Sequence, residues 1–273
     1  MSDEIIISRS APSKETSTVT TYPSERIDLP SKGYFYSQND PLSKGYVDMK
    51  MMTAKEEDIL TSQNLIKKGI VLDKLLESLI VTPGINTENL LLCDKNALFI
   101  AARRLAYGDS YGPVQIRCQK CYEESKETIN LGSLTEKPYE FDKIQRGNNV
   151  FDFELPYSKK IVQFRLLSSK DETDIDVELK ATAKFVKSGG TNEITTRLKK
   201  LIVSIDGKTD RAFINKFVDN ELLSKDSMAL RAYARSVSPE LDMSFNFVCP
   251  SCGSQERMDV PMTVQFFWPE SGV

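Results

Sequence analysis

Histidine is absent from the 273 residues of the chain, and this absence removes several classes of site. Neither a Ser-His-Asp triad nor a Cys-His pair can form without an imidazole. The only soft metal ligands left are thiolates. The sequence also contains neither a P-loop nor a G-x-G-x-x-G motif, which argues against nucleotide chemistry built on those loops. We find no catalytic constellation and predict that the protein is not an enzyme.

The chain also lacks a long apolar run and a strong excess of either charge. No stretch reaches the ~18–20 apolar residues that span a bilayer. The formal net charge of -3 and the pI near 5.4 argue against a nucleic-acid-binding surface, because clustered Lys and Arg supply most of that affinity. With 40% hydrophobic residues, the chain can bury one large core or two small ones. We recognise no signal peptide and expect a soluble protein in a reducing compartment.

Two Cys-x-x-Cys motifs lie 131 residues apart in this sequence. The first pair is Cys118 and Cys121, and the second pair is Cys249 and Cys252. Two thiolates at this spacing can bind one ion from a tight turn, and two such turns complete a tetrahedral site. We therefore predict one structural Zn²⁺ bound by all four cysteines. Because four protein ligands leave no open position, such a site is not catalytic.

The sequence around each motif favours a metal site over thiol redox chemistry. A thioredoxin-like motif precedes a helix whose N-terminus stabilises the thiolate. Here, alternating residues 123–129 and 254–260 predict a strand after each motif. A disulfide is disfavoured in a reducing compartment. Redox or disulfide use and an iron centre remain as alternatives, and we expect the fifth cysteine, Cys93, to be a buried or capping thiol.

The segments leading into the two motifs resemble each other at a constant, gapless shift of 131 residues. Residues 91–98 align with 222–229, and both windows combine helix-start chemistry with an apolar helical pattern, so Cys93 corresponds to Ser224. Residues 51–56 resemble a segment 115 positions further along the chain. A single copy at a long period indicates an internal duplication rather than a solenoid.

The residue pattern predicts helices, short strands and turns. Thr53 and Glu56 form a capping box that opens the first helix. The architecture we expect is α+β, with two pseudo-repeated helical lobes and short strands joined by a shared Cys₄ zinc ribbon. Helices are predicted near residues 53–68, 72–82, 94–107, 170–187, 193–203, 210–220 and 225–236, with a hairpin at 151–167.

We divide the chain into three regions. Residues 1–26 are predicted to be a flexible N-terminal arm, because they are rich in Ser and Thr. Residues 27–135 form the first repeat lobe with the first zinc knuckle. Residues 136–273 form the second repeat lobe with a hairpin, helices, the second knuckle and a C-terminal strand. Within the arm, residues 5–7 (III) either add a strand to a partner's sheet or belong to an untethered tail.

An aromatic run near the C-terminus has two interpretations. Residues 266–269 read FFWP and include the only tryptophan, Trp268. Such a run can anchor a protein–protein interface. The alternative is that it packs back onto its own domain.

A set of short motifs in the first half resembles a known protein family. The motifs are residues 29–34, 51–60, 65–69, 72–76, 94–98 and 107–108. Together they resemble the baseplate hub and hub-assembly proteins of T-even-like contractile-tailed bacteriophages, well over residues 27–132 and more loosely beyond. The resemblance implies a structural or assembly role, with other hub or tail-tube proteins as partners. It also implies a location in the virion baseplate, or in the host cytoplasm during assembly, without nucleic acid, membrane or small-molecule substrate.

Two other functions are compatible with the residues alone. A zinc-ribbon module that binds nucleic acid or a transcription complex would show binding that weakens with salt. A thiol oxidoreductase would require accessible thiols of low pKa, which label rapidly.

Overall fold

The computed structural model describes residues 23–183, 192–261 and 266–267 of the chain. Within these ranges the chain combines helices with small antiparallel sheets, which confirms the predicted α+β class. No helix in them is long and apolar enough to cross a membrane. Residues 5–7 and Trp268 lie outside these ranges. The first strand begins at Ser24, so the last three residues assigned to the flexible arm are strand instead.

The helices and strands follow one another in two similar series. The α-helices are α1 (Ala54–Thr61), α2 (Gln63–Lys68), α3 (Val71–Leu79), α4 (Leu92–Tyr107), α5 (Ser169–Ala183), α6 (Glu193–Leu201), α7 (Arg211–Asn220) and α8 (Ser224–Ser236). The strands are β1 (Ser24–Asp28), β2 (Tyr46–Lys50), β3 (Ser110–Arg117), β4 (Glu124–Asn130), β5 (Phe151–Glu154), β6 (Ile161–Phe164), β7 (Ile202–Ile205), β8 (Ser244–Val248) and β9 (Gln255–Asp259).

The first half of the chain, from β1 to β4, begins with the antiparallel β1–β2 hairpin, and the second half, from β5 to β9, begins with the β5–β6 hairpin. In each half, a later segment pairs with the second strand of this hairpin. In the first half, Ile80 after α3 forms a bridge with Met49. In the second half, Ile202 after α6 pairs with Phe164, which lies 115 positions after Met49. The predicted helix at 193–203 therefore ends two residues early, because β-branched Ile202 and Val203 are drawn into the sheet as β7.

A buried carboxylate opens the first helix of each half. Glu56 is fully buried and accepts hydrogen bonds from the Thr53 N–H at 2.9 Å and the Thr53 hydroxyl at 2.7 Å. Its other oxygen lies 2.8 Å from Lys50 Nζ. This is the predicted capping box with an added ion pair. The same arrangement recurs 115 positions later in Arg165, Ser168 and Asp171.

A second buried carboxylate in each half ties a later helix to the segment that connects the two strands of the hairpin. Asp94 near the start of α4 accepts hydrogen bonds from the N–H and hydroxyl of Ser31 at 2.9 and 2.7 Å. Asp226 near the start of α8 accepts from the N–H groups of Tyr157 and Ser158 at 2.8 and 3.0 Å. Both carboxylates are completely buried, so each helix start is fixed to its own hairpin.

These carboxylates correct the register of the sequence repeat. α4 and α8 align with a shift of 132, which matches Asp94 with Asp226 and the fully buried Leu98 with Leu230. The gapless shift of 131 predicted from sequence is wrong by one residue for these helices and applies only to the β3–β4 and β8–β9 hairpins. Cys93 therefore corresponds to Lys225 rather than to Ser224. The second half is one residue shorter between the helix and its hairpin.

The apolar side chains form two clusters that do not coincide with the predicted lobes. The larger contains the buried apolar side chains of the first half, together with Phe247 and Val260 beside the cysteines of the β8–β9 hairpin. The smaller lies between Leu155 and Leu230. The β8–β9 hairpin thus shares a core with the first half of the chain.

The aromatic run at the C-terminus contributes two residues to the larger cluster. Phe266 packs edge-on against Tyr111, with ring centroids 5.0 Å apart, and Phe267 packs against Phe99 at 5.9 Å. Both phenylalanines are buried, so they pack back onto the chain and are not available as interface anchors.

The two halves also meet along short backbone pairings. The Leu92 N–H donates to the Leu167 carbonyl at 3.0 Å. The Ser169 N–H donates to the Leu90 carbonyl at 2.7 Å. A second pairing of this kind joins residues 135–137 to residues 240–242.

We predict that Glu56→Gln lowers the free energy of unfolding by about 3 kcal/mol at pH 7. Although burial alone raises it, hydrogen bonds from Lys50, Ser78 and Thr53 lower the pKa of Glu56 from 4.5 to about 2. A lowered carboxyl pKa stabilises the fold above the unfolded-state value, and this stabilisation is lost as the pH falls towards the folded-state value. The deficit of the variant should therefore shrink between about pH 5 and pH 2.

Urea unfolding over this pH range measures the deficit, with Glu57→Gln as the control. Glu57 is exposed and follows Glu56 in the same helix, so its replacement by Gln removes the same charge without removing buried contacts. Changes common to both variants cancel in the comparison. Equal stabilities of the two variants at pH 7 would contradict the prediction.

Candidate metal centre

The four cysteine sulfurs lie together where the β3–β4 and β8–β9 hairpins turn. All four are within 4.8 Å of one another. Cys118 Sγ lies 3.8 Å from Cys252 Sγ, and Cys121 Sγ lies 3.6 Å from Cys249 Sγ. A tetrahedral ion with bonds of ~2.3 Å requires sulfurs roughly 3.8 Å apart, whereas a disulfide requires about 2.05 Å. The arrangement therefore fits a single metal ion, and none of these cysteines is in a disulfide.

The cysteines of the two hairpins lie on turns with the same backbone hydrogen bonds and the same backbone conformation. In the first, the Cys118 N–H donates to the Glu123 carbonyl at 2.9 Å, and the Tyr122 N–H donates to the Cys118 carbonyl at 3.0 Å. The residue after each second cysteine has left-handed backbone, with φ of 64° at Tyr122 and 69° at Gly253. The corresponding bonds of the second turn join Cys249 with Ser254 and with Gly253, both at 2.9 Å.

The sulfurs lie at the boundary between the core and solvent. Cys118 and Cys249 are buried against the larger apolar cluster, whereas Cys252 is exposed. The Lys120 N–H donates to Cys118 Sγ at 3.4 Å, and the Ser254 hydroxyl lies 3.5 Å from the same sulfur. Backbone and hydroxyl donors of this kind favour thiolate over thiol, which is the form that binds a metal.

The acidities of the thiols differ because each sulfur has different hydrogen-bond donors and different thiol neighbours. Hydrogen bonding by Ser254 lowers the pKa of Cys118 to about 6. The Glu123 N–H acts to lower the pKa of Cys121, but burial and the neighbouring thiols raise it well above its ordinary value. Hydrogen bonds from Ser254 also lower the pKa of Cys252. A cation that binds the four sulfurs must displace the shared protons, so its affinity rises with pH.

Cys93 lies apart from this centre. It is buried, and burial raises its pKa well above the ordinary value of a thiol. This agrees with the expected buried thiol. Elsewhere in the ranges that the structure describes, no group of three or more Cys, Asp or Glu side chains forms a comparable cluster.

Sequence reasoning missed two polar residues at the centre. Ser254 bonds to the sulfur of Cys118 and to Glu256, and Glu256 accepts from the Gln119 N–H at 3.3 Å across the two hairpins. The only available signal was their position just after Cys252. That signal is weak, because polar residues are common in exposed turns.

Comparison with known proteins gives one match. The sequence model of a family described as T4 bacteriophage base plate protein matches residues 28–268. This range includes all four clustered cysteines and both series of helices. No match was found among curated proteins or among solved structures.

We predict that the protein binds one zinc per chain and that Cys249→Ser abolishes stoichiometric binding. A serine in place of a thiolate removes one of four ligands, and the remaining three would no longer close the tetrahedron. Metal analysis after dialysis measures the stoichiometry. Cys93→Ser is the matched control and should retain one zinc, because Cys93 is not part of the cluster. One zinc in both variants would contradict the assignment.

We predict that Gly253→Ala lowers stability by about 1 kcal/mol, whereas Tyr122→Gly does not lower it. Left-handed backbone costs a non-glycine residue roughly 1–2 kcal/mol. An added Cβ at Gly253 meets nothing within 4 Å, so the cost is that of the backbone alone. Chemical denaturation of the zinc-bound protein measures both changes. A neutral Gly253→Ala would show that the turn does not require this conformation.

Proposed function

The chain belongs to the family of T4 bacteriophage base plate proteins, and we propose that it is a zinc-stabilised structural or assembly component of the baseplate hub. Membership of this family implies that it works in contact with other structural proteins of the phage. Hub and tail-tube proteins are the partners we propose. The virion tail, or the host cytoplasm during assembly, is the location we propose.

The observation that carries this proposal is the convergence of sulfurs from both halves of the chain. Cys118 and Cys121 come from the first half, and Cys249 and Cys252 come from the second. Zn²⁺ is the ion we assign, since it prefers tetrahedral thiolate sites of this kind. When bound, it would cross-link the two hairpins and fix the halves relative to each other.

We further propose that the two halves arose by duplication of one unit. The supporting features are the paired hairpins, the paired capping boxes and the paired buried carboxylates, each at the same place in its series. Leu29 and Leu155, which are both fully buried and both followed by proline, mark the end of the first strand in each unit. In this interpretation the shared metal joins two sister lobes.

A structural role accounts for the buried charged groups better than a catalytic role does. Glu56, Asp94, Asp171 and Asp226 are all buried and all accept hydrogen bonds that fix helix starts. A catalytic acid or base must be able to reach a substrate. These four carboxylates are instead buried and hydrogen-bonded at helix starts.

The experiment is co-purification from infected cells of the tagged wild type, Cys93→Ser and a Cys118→Ser/Cys121→Ser double variant. We expect wild type and Cys93→Ser to bring down hub or tail-tube proteins, identified by mass spectrometry. The double variant should lose them, because its two halves are no longer joined by metal. If the double variant retained the same partners at wild-type yield, the metal-dependent scaffold would be excluded. Recovery of only non-baseplate proteins with the wild type would exclude the hub.

A further inference from the structure

The second half of the chain lacks a contact that the first half has. At the start of α4, Leu91 is 3% exposed, and its backbone pairs with Ser168 in the segment before α5. The structural counterpart of Leu91, at the start of α8, is Leu223, which is 52% exposed. Met228, one turn further along α8, is also exposed. We call residues 222–224 the helix-start face.

The segment before α5, which pairs with the start of α4, also has a counterpart in the first half, and that counterpart is exposed. Leu166, just before α5, is 6% exposed and lies in the same apolar cluster as Leu91. Its counterpart 115 positions earlier is Met51, just before α1, which is 47% exposed. We call residues 51–54 the strand-end face. One contact between repeats is thus formed inside the chain, and no described residue covers the same two kinds of surface at the other ends of the repeats.

The first backbone N–H groups of the helices and the carbonyls beside them make the two faces complementary. The first N–H group of an α-helix has no partner inside that helix. In the internal contact, the first N–H groups of α4 and α5 donate to the carbonyls of Leu167 and Leu90, respectively. The equivalent first residues are Ser224 in α8 and Ala54 in α1. Among the described residues, their N–H groups make no equivalent pairing.

We infer that the strand-end face of one copy of this chain binds the helix-start face of a second copy and so repeats the internal contact between molecules. Ser224 would donate to the carbonyl of Met52, and Ala54 would donate to the carbonyl of Leu222. Met51 and Leu223 would become buried, as Leu166 and Leu91 are within the chain. The inference rests on the duplication proposed above.

The association is head-to-tail, because the two faces differ. Each copy keeps one face free after binding, so association continues into a ring or a filament. The contact between copies is weaker than the internal one. Inside the chain, Lys95 of the first half donates a further hydrogen bond to Ser169 of the second half at 2.8 Å. The counterparts of Lys95 and Ser169 are Ser227 and Ala54, and alanine has no side-chain acceptor for such a bond, so association requires high local concentration.

The test is sedimentation velocity over a range of concentrations for the zinc-bound wild type, Met51→Asp and Leu223→Asp. Wild type should form species larger than a monomer as concentration rises. Each variant alone should stay monomeric, because one of the two faces is blocked in every molecule. An equimolar mixture of the variants should form a 1:1 dimer and nothing larger, since each variant supplies the face that the other lacks.

Val177→Asp is the control, because it adds the same charge at an exposed apolar residue of α5 outside both faces. It should associate as wild type does. A wild type that stays monomeric, variants that associate normally, or a mixture that stays monomeric would each overturn the inference. Circular dichroism and zinc content of every variant separate loss of association from misfolding or from failure of the metal site.

Discussion

The convergence of four sulfurs on one point is the constraint on which the rest of the account depends. Cys121 and Cys249 are separated by 127 residues, and bringing such distant residues together costs roughly 4 kcal/mol of chain entropy plus a constant. Structural zinc in small domains contributes an apparent ~10–16 kcal/mol at neutral pH. The metal can therefore offset the closure and still stabilise the fold. A bound ion would do so where the second hairpin enters the core of the first half.

Both halves use the same local chemistry to direct their chains towards this point. In each half, a hairpin is followed by a capped helix. The buried carboxylate at the start of that helix pairs with a lysine or arginine side chain at the end of the preceding strand. A second buried carboxylate, Asp94 or Asp226, then fixes a later helix to the hairpin. Since an unpaired buried charge is costly, each carboxylate strongly favours the native arrangement over alternatives. Repetition of these arrangements explains why two short Cys-x-x-Cys turns can meet as near-equivalent partners.

The features that the sequence could predict are local ones. The grouping of the four cysteines follows from the spacing within the two Cys-x-x-Cys pairs, and the capping box follows from Thr53 and Glu56. Properties set by packing between distant segments were missed. The helix register was wrong by one residue because one loop is shorter, and the helix at Glu193–Leu201 was extended into β7 because strand pairing overrides a short helical pattern. The contact between residues 90–92 and 167–169 could not be predicted, because it depends on how the two halves are oriented.

X-ray absorption at the zinc edge of the purified protein tests whether both Cys-x-x-Cys pairs bind one ion. One zinc per chain with a single shell of four sulfurs at ~2.3 Å is the expected result. With Cys93 outside the cluster, four sulfur ligands require both Cys-x-x-Cys pairs and hence both halves of the chain. A shell of two sulfurs completed by nitrogen or oxygen ligands would mean that one pair binds the ion alone, and it would contradict the shared site.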